Sequence, residues 1–284
     1  MTVLDYFSNT HTDTINLFDT LYHKPFLRRP NQTGLSVTPF AAAPSKTEVH
    51  KFIDDLFDFF FPTYQQLNFE TAVRQKTLEK QLQRLLIPLT IDTDWVTAEF
   101  FSALPLLYTT LLEDANAVLD YDPAATSLVE VIVAYPGFYA TAVYRIAHAL
   151  FCLDVPVLPR TITEYAHSKT GIDIHPGAQI GRAFVIDHGT GIVIGATSII
   201  GNYVKLFQGV TLGAKQVNKS LAHSKRHPTI EDHVTIYANA TVLGGETVIG
   251  HHSILGGSVW LTRTIPPHSQ VYNDSQVSIT SINS

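Results

Sequence analysis

The sequence predicts an α+β protein in which an all-helical N-terminal domain precedes a C-terminal left-handed parallel β-helix of hexapeptide repeats. Two observations carry this expectation. Before Gly171 the apolar residues fall at helical spacing between Pro- and Gly-rich breaks. Past Gly171 a six-residue spacing replaces it, which neither a helix nor an ordinary alternating strand produces.

Residues 1–45 are polar and irregular, with Pro25, Pro30, Gly34, Pro39 and Pro44, and read largely as loop. A helical domain is expected over 46–168. Ser45 and Glu48 have the spacing of a capping box ahead of the apolar run Phe52–Phe61, which Pro62 ends. Phe69–Leu86 carries Leu78, Leu82 and Leu85 on one helical face among Arg, Lys, Gln and Glu. Trp95–Leu112 and Ala140–Leu150 have the same character, and the leucine and aromatic stripes read as core.

The β-helix is expected over 169–272, interrupted by an inserted loop at about 211–229 and followed by a tail at 273–284. Ile174, Ile180, Ile186, Ile192, Ser198, Val204 and Val210 lie six apart. After the loop Ile230, Ile236, Val242, Val248, Ile254 and Trp260 resume the spacing. All but Ser198 and Trp260 are Ile or Val, the branched residues that suit an inward position in stacked strands. Glycines nearby, such as Gly181, Gly195, Gly201 and Gly213, suit the corners.

Composition narrows the function classes. The formal net charge of −6 argues against nucleic acid as a partner. A lone cysteine, Cys152, fits a reducing compartment and reads as a packed thiol. The N-terminus has no basic region followed by an apolar stretch, and no apolar run approaches the length that spans a bilayer. A cytoplasmic protein with no membrane partner is the expectation.

Four motifs remain. They are Asp120-Tyr121-Asp122-Pro123-Ala124, Gly171-Ile172-Asp173-Ile174-His175-Pro176 with Ile186-Asp187-His188-Gly189-Thr190-Gly191, Gly209-Val210-Thr211-Leu212-Gly213, and Lys225-Arg226-His227-Pro228. In this order and spacing, over roughly residues 110–270, the chain resembles the serine O-acetyltransferases, a family of hexapeptide-repeat acyltransferases. The resemblance implies transfer of acetyl from acetyl-CoA to the hydroxyl of L-serine, the first step of cysteine biosynthesis, with no metal. It implies Asp122 and Asp187 as ligands of the serine ammonium, and Arg226 and His227 as ligands of its carboxylate. It also implies backbone contacts of Gly213 and Ala214 with the coenzyme, L-cysteine as feedback inhibitor, and a homotrimer or dimer of trimers with sites between subunits. Many members bind cysteine synthase through a C-terminal isoleucine. Here the chain ends Ser281-Ile282-Asn283-Ser284, and VYNDSQVSIT stands where the family has Gly-x-Pro-Ala-Arg, so the resemblance offers cysteine synthase as a partner while this departure counts against it.

The chemistry is consistent with those residues. A thioester is already activated, so the enzyme must mainly take the hydroxyl proton, a task for an imidazole near neutral pH. His188 is the expected base, with Asp173 orienting it as in a hydrolase triad and His227 as a further catalytic group. At eighteen residues per coil, Asp173 is expected beneath Gly191, one strand spacing of about 4.8 Å away. That would put Asp173, His188 and the Arg226–His227 loop on one edge. Taken alone, His188 reads more readily as a corner histidine, and Asp122 equally as a turn residue before Pro123; the combined motif reverses both. The alternatives are an acetyltransferase of the same fold acting on a sugar or homoserine, a metal-dependent hydratase of the γ-carbonic anhydrase type (His223 and His227 are four apart), and a non-catalytic scaffold.

Overall fold

The computed structural model describes residues 43–62, 70–216 and 224–274. The irregular segment 1–42, the middle of the inserted loop with His223, and the tail from 275 with Ile282 lie outside the described residues. Among the described residues seven α-helices come first: α1 (Lys46–Phe60), α2 (Thr71–Leu86), α3 (Thr93–Ser102), α4 (Leu104–Tyr121), α5 (Leu128–Ala134), α6 (Pro136–Cys152) and α7 (Leu158–Thr170). Helix α1 buries Val49, Phe52, Ile53, Leu56, Phe59 and Phe60, the stripe that its sequence spacing predicts. The expected capping box does not form, because the Ser45 side chain makes no cap bond; Glu48 still places a negative charge in the first turn. The expected single segment Trp95–Leu112 is two helices, α3 and α4, bent by 46°. Pro105 has no N–H to continue α3, and it sits instead in the first turn of α4, where none is needed. No single helix among the described residues is long and apolar enough to cross a membrane.

Gly171, at φ 71°, caps α7 and turns the chain into the strands. These are β1 (Asp173–Ile174), β2 (Gln179–Ile180), β3 (Val185–Asp187), β4 (Val193–Ile194), β5 (Ile199–Ile200), β6 (Lys205–Phe207), β7 (Thr211–Gly213), β8 (Thr229–Ile230), β9 (Thr235–Ile236), β10 (Thr241–Leu243), β11 (Val248–Ile249), β12 (Ile254–Leu255), β13 (Trp260–Leu261) and β14 (Gln270–Val271). They form three parallel faces: β1-β4-β7-β10-β13, β2-β5-β8-β11 and β3-β6-β9-β12-β14. The sequence-predicted β-helix is therefore present, with one strand of each face contributed per turn.

The register departs from a uniform eighteen. Asp173 pairs with Val193, twenty positions on, whereas Val193 pairs with Thr211, eighteen on. The cause is two extra residues in the corner after Ile186, so the next inward strand residue is Ile194 rather than Ile192. Gly171, not Asp173, lies beneath Gly191, whose N–H donates to the Gly171 carbonyl at 2.8 Å. A second buried column at the corners, Ile192, Ser198, Val204 and Val210, keeps the six-residue spacing alive across the insertion. After Val242 one further residue at Gly244-Gly245 shifts the phase again. Ile249, Leu255 and Leu261 then point inward, and Trp260, expected inside, is 69% exposed. The insertion also begins later than expected, because Thr211–Gly213 is a full strand of the first face.

Corner stacking also accounts for several histidines. Tyr203, His233, His252 and His268 all have positive φ, and their rings stack at 4.9, 4.6 and 5.1 Å. These are exposed rings in an edge column, with their faces rather than their nitrogens towards one another.

Helix α6 closes the open end of the first coil. Its residues Ala140 and Tyr144 belong to the solenoid core. Its polar side chains meet carbonyls that no strand covers: Tyr144 donates to Ala178 O at 2.6 Å, His148 Nδ1 to Pro176 O at 2.7 Å, and Arg145 to Ile180 O at 3.2 Å and Gly181 O at 2.7 Å. Arg145 is fully buried and paired with the equally buried Asp114 of α4, which also accepts the Phe184 N–H at 2.9 Å. Burial pushes the Asp114 carboxyl up, and the Arg145 charge and hydrogen bonds oppose it. Arg145→Ala is expected to cost about 3–5 kcal/mol in denaturant unfolding, because it strands a buried carboxylate. Replacing both partners by apolar residues should recover only part of that loss, because the Ile180 and Gly181 carbonyls and the Phe184 N–H would then lose their partners.

Candidate active site

The sequence-predicted site residues fall into two clusters at the two ends of the face that β4 belongs to. The first is built on the corner after β3. His188 has φ 57° and Gly189 φ 93°, a sharp turn that a side chain at Gly189 would block by meeting Ile172 Cδ1 at 2.5 Å. The turn leaves the His188 side chain 75% exposed, with Nε2 3.7 Å from Asp187. On its other side Asp187 lies 3.8 Å from Lys205 Nζ. Lys205 sits over the rings of Tyr121 and Phe207, at 5.5 and 4.8 Å. Asp122, the residue that ends α4, completes the group. Its carboxylate accepts from Ala124 N and Tyr135 Oη, each at 2.8 Å. Those hydrogen bonds, with smaller contributions from Lys205 and His188, hold Asp122 below the usual carboxylate range. The same bond pushes the Tyr135 hydroxyl up to about 12. The first cluster is therefore a pair of carboxylates beside an exposed imidazole.

The second cluster lies at the opposite corner, around Arg226 and His227. The His227 ring covers Gly195 so closely that a Cβ there would fall 2.0 Å from its Cδ2. His227 Nδ1 accepts the Thr197 N–H at 3.1 Å, so the proton of the neutral ring sits on Nε2. His175 is set in the same way, with Nδ1 accepting the Gly177 N–H at 2.9 Å. Burial lowers both rings to about 4, helped by Arg226 and Lys225 at His227 and by Arg160 at His175. Both are thus neutral N–H donors at pH 7 beside the Arg226 guanidinium. Gly213, one coil above Gly195, ends β7 and gives its carbonyl to Gly244 N at 3.0 Å, with Ala214 next in the chain.

Asp173 does not pair with His188 within the chain. Its carboxylate is bound to Arg160 Nη1 at 3.0 Å, and its field is felt by His175. The two-residue corner insertion is the reason, since it moves Asp173 along the face, away from the His188 corner. The expectation that eighteen-residue coils bring Asp173, His188 and the Arg226–His227 loop to one edge is thereby corrected. From Gly189 to Gly195 the extended chain spans about 20 Å at most, and the two clusters lie at its ends. Among the described residues one trio of metal-ligand types comes within 4.8 Å, Glu164, His167 and Asp173, and Arg160 already binds both of its carboxylates. Motif reading passed over Tyr135, Lys205, Thr197 and Arg160, and gave His175 no role although it stands in a quoted motif. A register corrected for the corner insertion would have placed Lys205 beside Val185, and one corrected for the long inserted loop would have placed Thr197 beside His227.

No family model matches the chain. A serine acetyltransferase of Synechococcus elongatus is 49% identical over 193 residues, 66% of this chain and 59% of that protein. One of Bacillus pumilus is 46% identical over 166 residues, 58% of this chain and 74% of that one. The chain belongs to the serine acetyltransferase family. Among solved structures, serine acetyltransferase isoform 3 of Entamoeba histolytica in complex with cysteine superimposes with TM-score 0.75 at 30% identity, covering 99% of this chain and 94% of that one. Serine acetyltransferase 1 of the same organism, in complex with L-cysteine, gives 0.73 at 30%, covering 95% of each chain. The matches span under two thirds of the first sequence relatives, 59% of the Synechococcus protein and 57% of one from Bacillus licheniformis.

Two outcomes test this geometry. Gly195→Ala should displace the His227 ring, visible as a changed His227 imidazole resonance in a protein of unchanged circular dichroism. Because His175 and His227 have folded values near 4, below the ordinary 6.5 of an unfolded chain, their contribution to stability is complete above about pH 6.5. It is lost as pH falls towards 4, so the melting temperature should decline across that window and decline less in His175→Asn.

Proposed function

We propose that the protein transfers acetyl from acetyl-CoA to the hydroxyl of L-serine, giving O-acetyl-L-serine and CoA. The carrying observation is the pairing, on one solenoid face, of an anionic cluster with an imidazole and a cationic cluster with neutral N–H donors. A zwitterionic amino acid has an ammonium for the first and a carboxylate for the second. Asp122 and Asp187 take the ammonium; Arg226 and the Nε2–H of His227 take the carboxylate. An amino acid spans less than one ~3.8 Å Cα step, so one molecule does not bridge the two ends of the face in a single chain. A second copy presenting its Arg226–His227 corner to His188 completes the site, which favours a homo-oligomer, as a trimer or dimer of trimers. The same approach carries His188 towards the partner's Asp173 and restores the Asp–His pairing across the boundary.

His188 removes the hydroxyl proton as the serine oxygen attacks the thioester carbonyl carbon. When the tetrahedral adduct collapses, the C–S bond breaks and the imidazolium returns its proton to the CoA sulfur. Donors aimed at the developing oxyanion would stabilise the adduct, and Gly213 and Ala214 line the face where the coenzyme arm would run. No metal takes part in this scheme. L-cysteine has the same ammonium and carboxylate, so it would occupy the same clusters as an inhibitor. The lone cysteine, Cys152, is buried and has no second cysteine in this sequence for a disulfide, which favours a cytoplasmic enzyme.

A thioester-cleavage assay tests the reading. L-serine should be turned over in preference to homoserine and sugar alcohols, and equal rates would overturn the assignment. His188→Ala should lower kcat by roughly 10²–10⁴, and His227→Ala should act mainly on the KM for serine.

A further inference from the structure

Thr197 lies outside every motif that points to the function, thirty residues from His227 in sequence, yet it meets the Arg226–His227 turn with four hydrogen bonds. Its Oγ1 accepts the backbone N–H of Arg226 at 2.9 Å and that of His227 at 3.1 Å. The same oxygen is 2.8 Å from His227 Nδ1, and the Thr197 backbone N–H reaches that nitrogen at 3.1 Å. Thr197 is 5% exposed and His227 8%. A hydroxyl has two acceptor sites and one proton. Both acceptor sites face N–H groups, so the proton must go to Nδ1. A nitrogen that accepts from both a hydroxyl and an amide carries no proton, and the ring's single proton is confined to Nε2.

We propose that Thr197 is the positioning residue of the carboxylate site, fixing the direction of the Arg226–His227 turn and the tautomer that makes His227 a donor. This rests on the serine-binding reading above. The hydroxyl does two things that a methyl group of the same shape does not. It accepts from two backbone donors in the turn that carries both carboxylate ligands, and it occupies Nδ1 so that Nε2 alone is left as the ring's N–H. Gly195 leaves the room in which the ring lies, and Thr197 decides how it lies there. Without the hydroxyl the Thr197 amide still reaches Nδ1, but the Arg226 and His227 amides lose their acceptor. The turn then has a reason to rotate, and with it the guanidinium.

The test compares Thr197→Val with Thr197→Ser in the full-length enzyme. Thr197→Val should raise the KM for L-serine tenfold or more while changing the KM for acetyl-CoA less than twofold, with kcat falling less than KM rises. Thr197→Ser should return the serine KM to within about threefold of wild type. A merely structural role would move both KM values and the melting temperature together. Independently, long-range 1H–15N spectra of histidine-labelled wild type should show His227 protonated on Nε2 only, from pH 5 to pH 8. A serine KM within twofold of wild type in Thr197→Val overturns the proposal, as does a proton on His227 Nδ1 in the wild type. The second result decides the matter even where the valine variant does not fold. Wild-type enzyme inert towards L-serine overturns the reading of function itself, and the spectra tell that failure apart from failure of the clamp.

Discussion

The structure depends on how the open end of a parallel coil is closed. A stack of parallel strands leaves its first coil with carbonyls that have no strand below them, and buried unpaired carbonyls are costly. Here α6 supplies the donors, Tyr144, Arg145 and His148, spaced so that one helical face meets Pro176, Ala178, Ile180 and Gly181 in turn. Burying Arg145 for this purpose demands a counter-charge, and Asp114 of α4 provides it. The pair is therefore less a source of stability than a condition of docking, since buried ion pairs seldom outdo an apolar contact but tolerate no missing member. Its consequence is positional. Helix α4 carries Asp114 two turns before Asp122, so the clamp that seats the helical part on the solenoid also carries Asp122 to the corner of His188.

The solenoid is irregular beside both clusters. Three departures from the six-residue rule lie there: two extra residues around His188, the long insertion before Arg226, and one extra residue at Gly244-Gly245; a fourth, a final coil two residues short, lies away from them. A regular corner packs against the corners above and below it. An inserted residue has no such partner, so its side chain is free to face a substrate. His188, exposed and at positive φ, is held there by the glycine after it rather than by neighbours.

This explains what the sequence made legible. Inward Ile and Val columns report the fold because packing repeats identically in every coil, and the helical stripes report α1 and α2 for the same reason. The relation between Asp173 and His188 was not legible, because it depends on where two extra residues sit, and a second buried column at Ile192, Ser198, Val204 and Val210 hides the shift by preserving the spacing. The motifs named Asp122, Asp187, His188, Arg226 and His227 because these are ionisable side chains standing in recognisable segments. Thr197 and Tyr135 stand outside those segments and act through hydrogen bonds to residues distant in sequence, which no local pattern announces.

The two clusters also solve the electrostatic problem of an amino-acid substrate in different ways. The second cluster has Arg226, with Lys225 and Arg160 also acting on its rings, and two imidazoles kept neutral by burial, so on the proposed reading the imidazoles would offer an anion donors without adding charge. The ammonium end has two carboxylates and already contains a cation, Lys205, 3.8 Å from Asp187. Two carboxylates in one corner favour a cation between them, and Lys205 supplies one beside Asp187. An incoming ammonium then competes with an internal one for Asp187 but not for the side of Asp122 held by Tyr135. On the proposed serine reading, Asp122 would be the stronger anchor for the amine, and Asp187 would be shared among the substrate, Lys205 and His188.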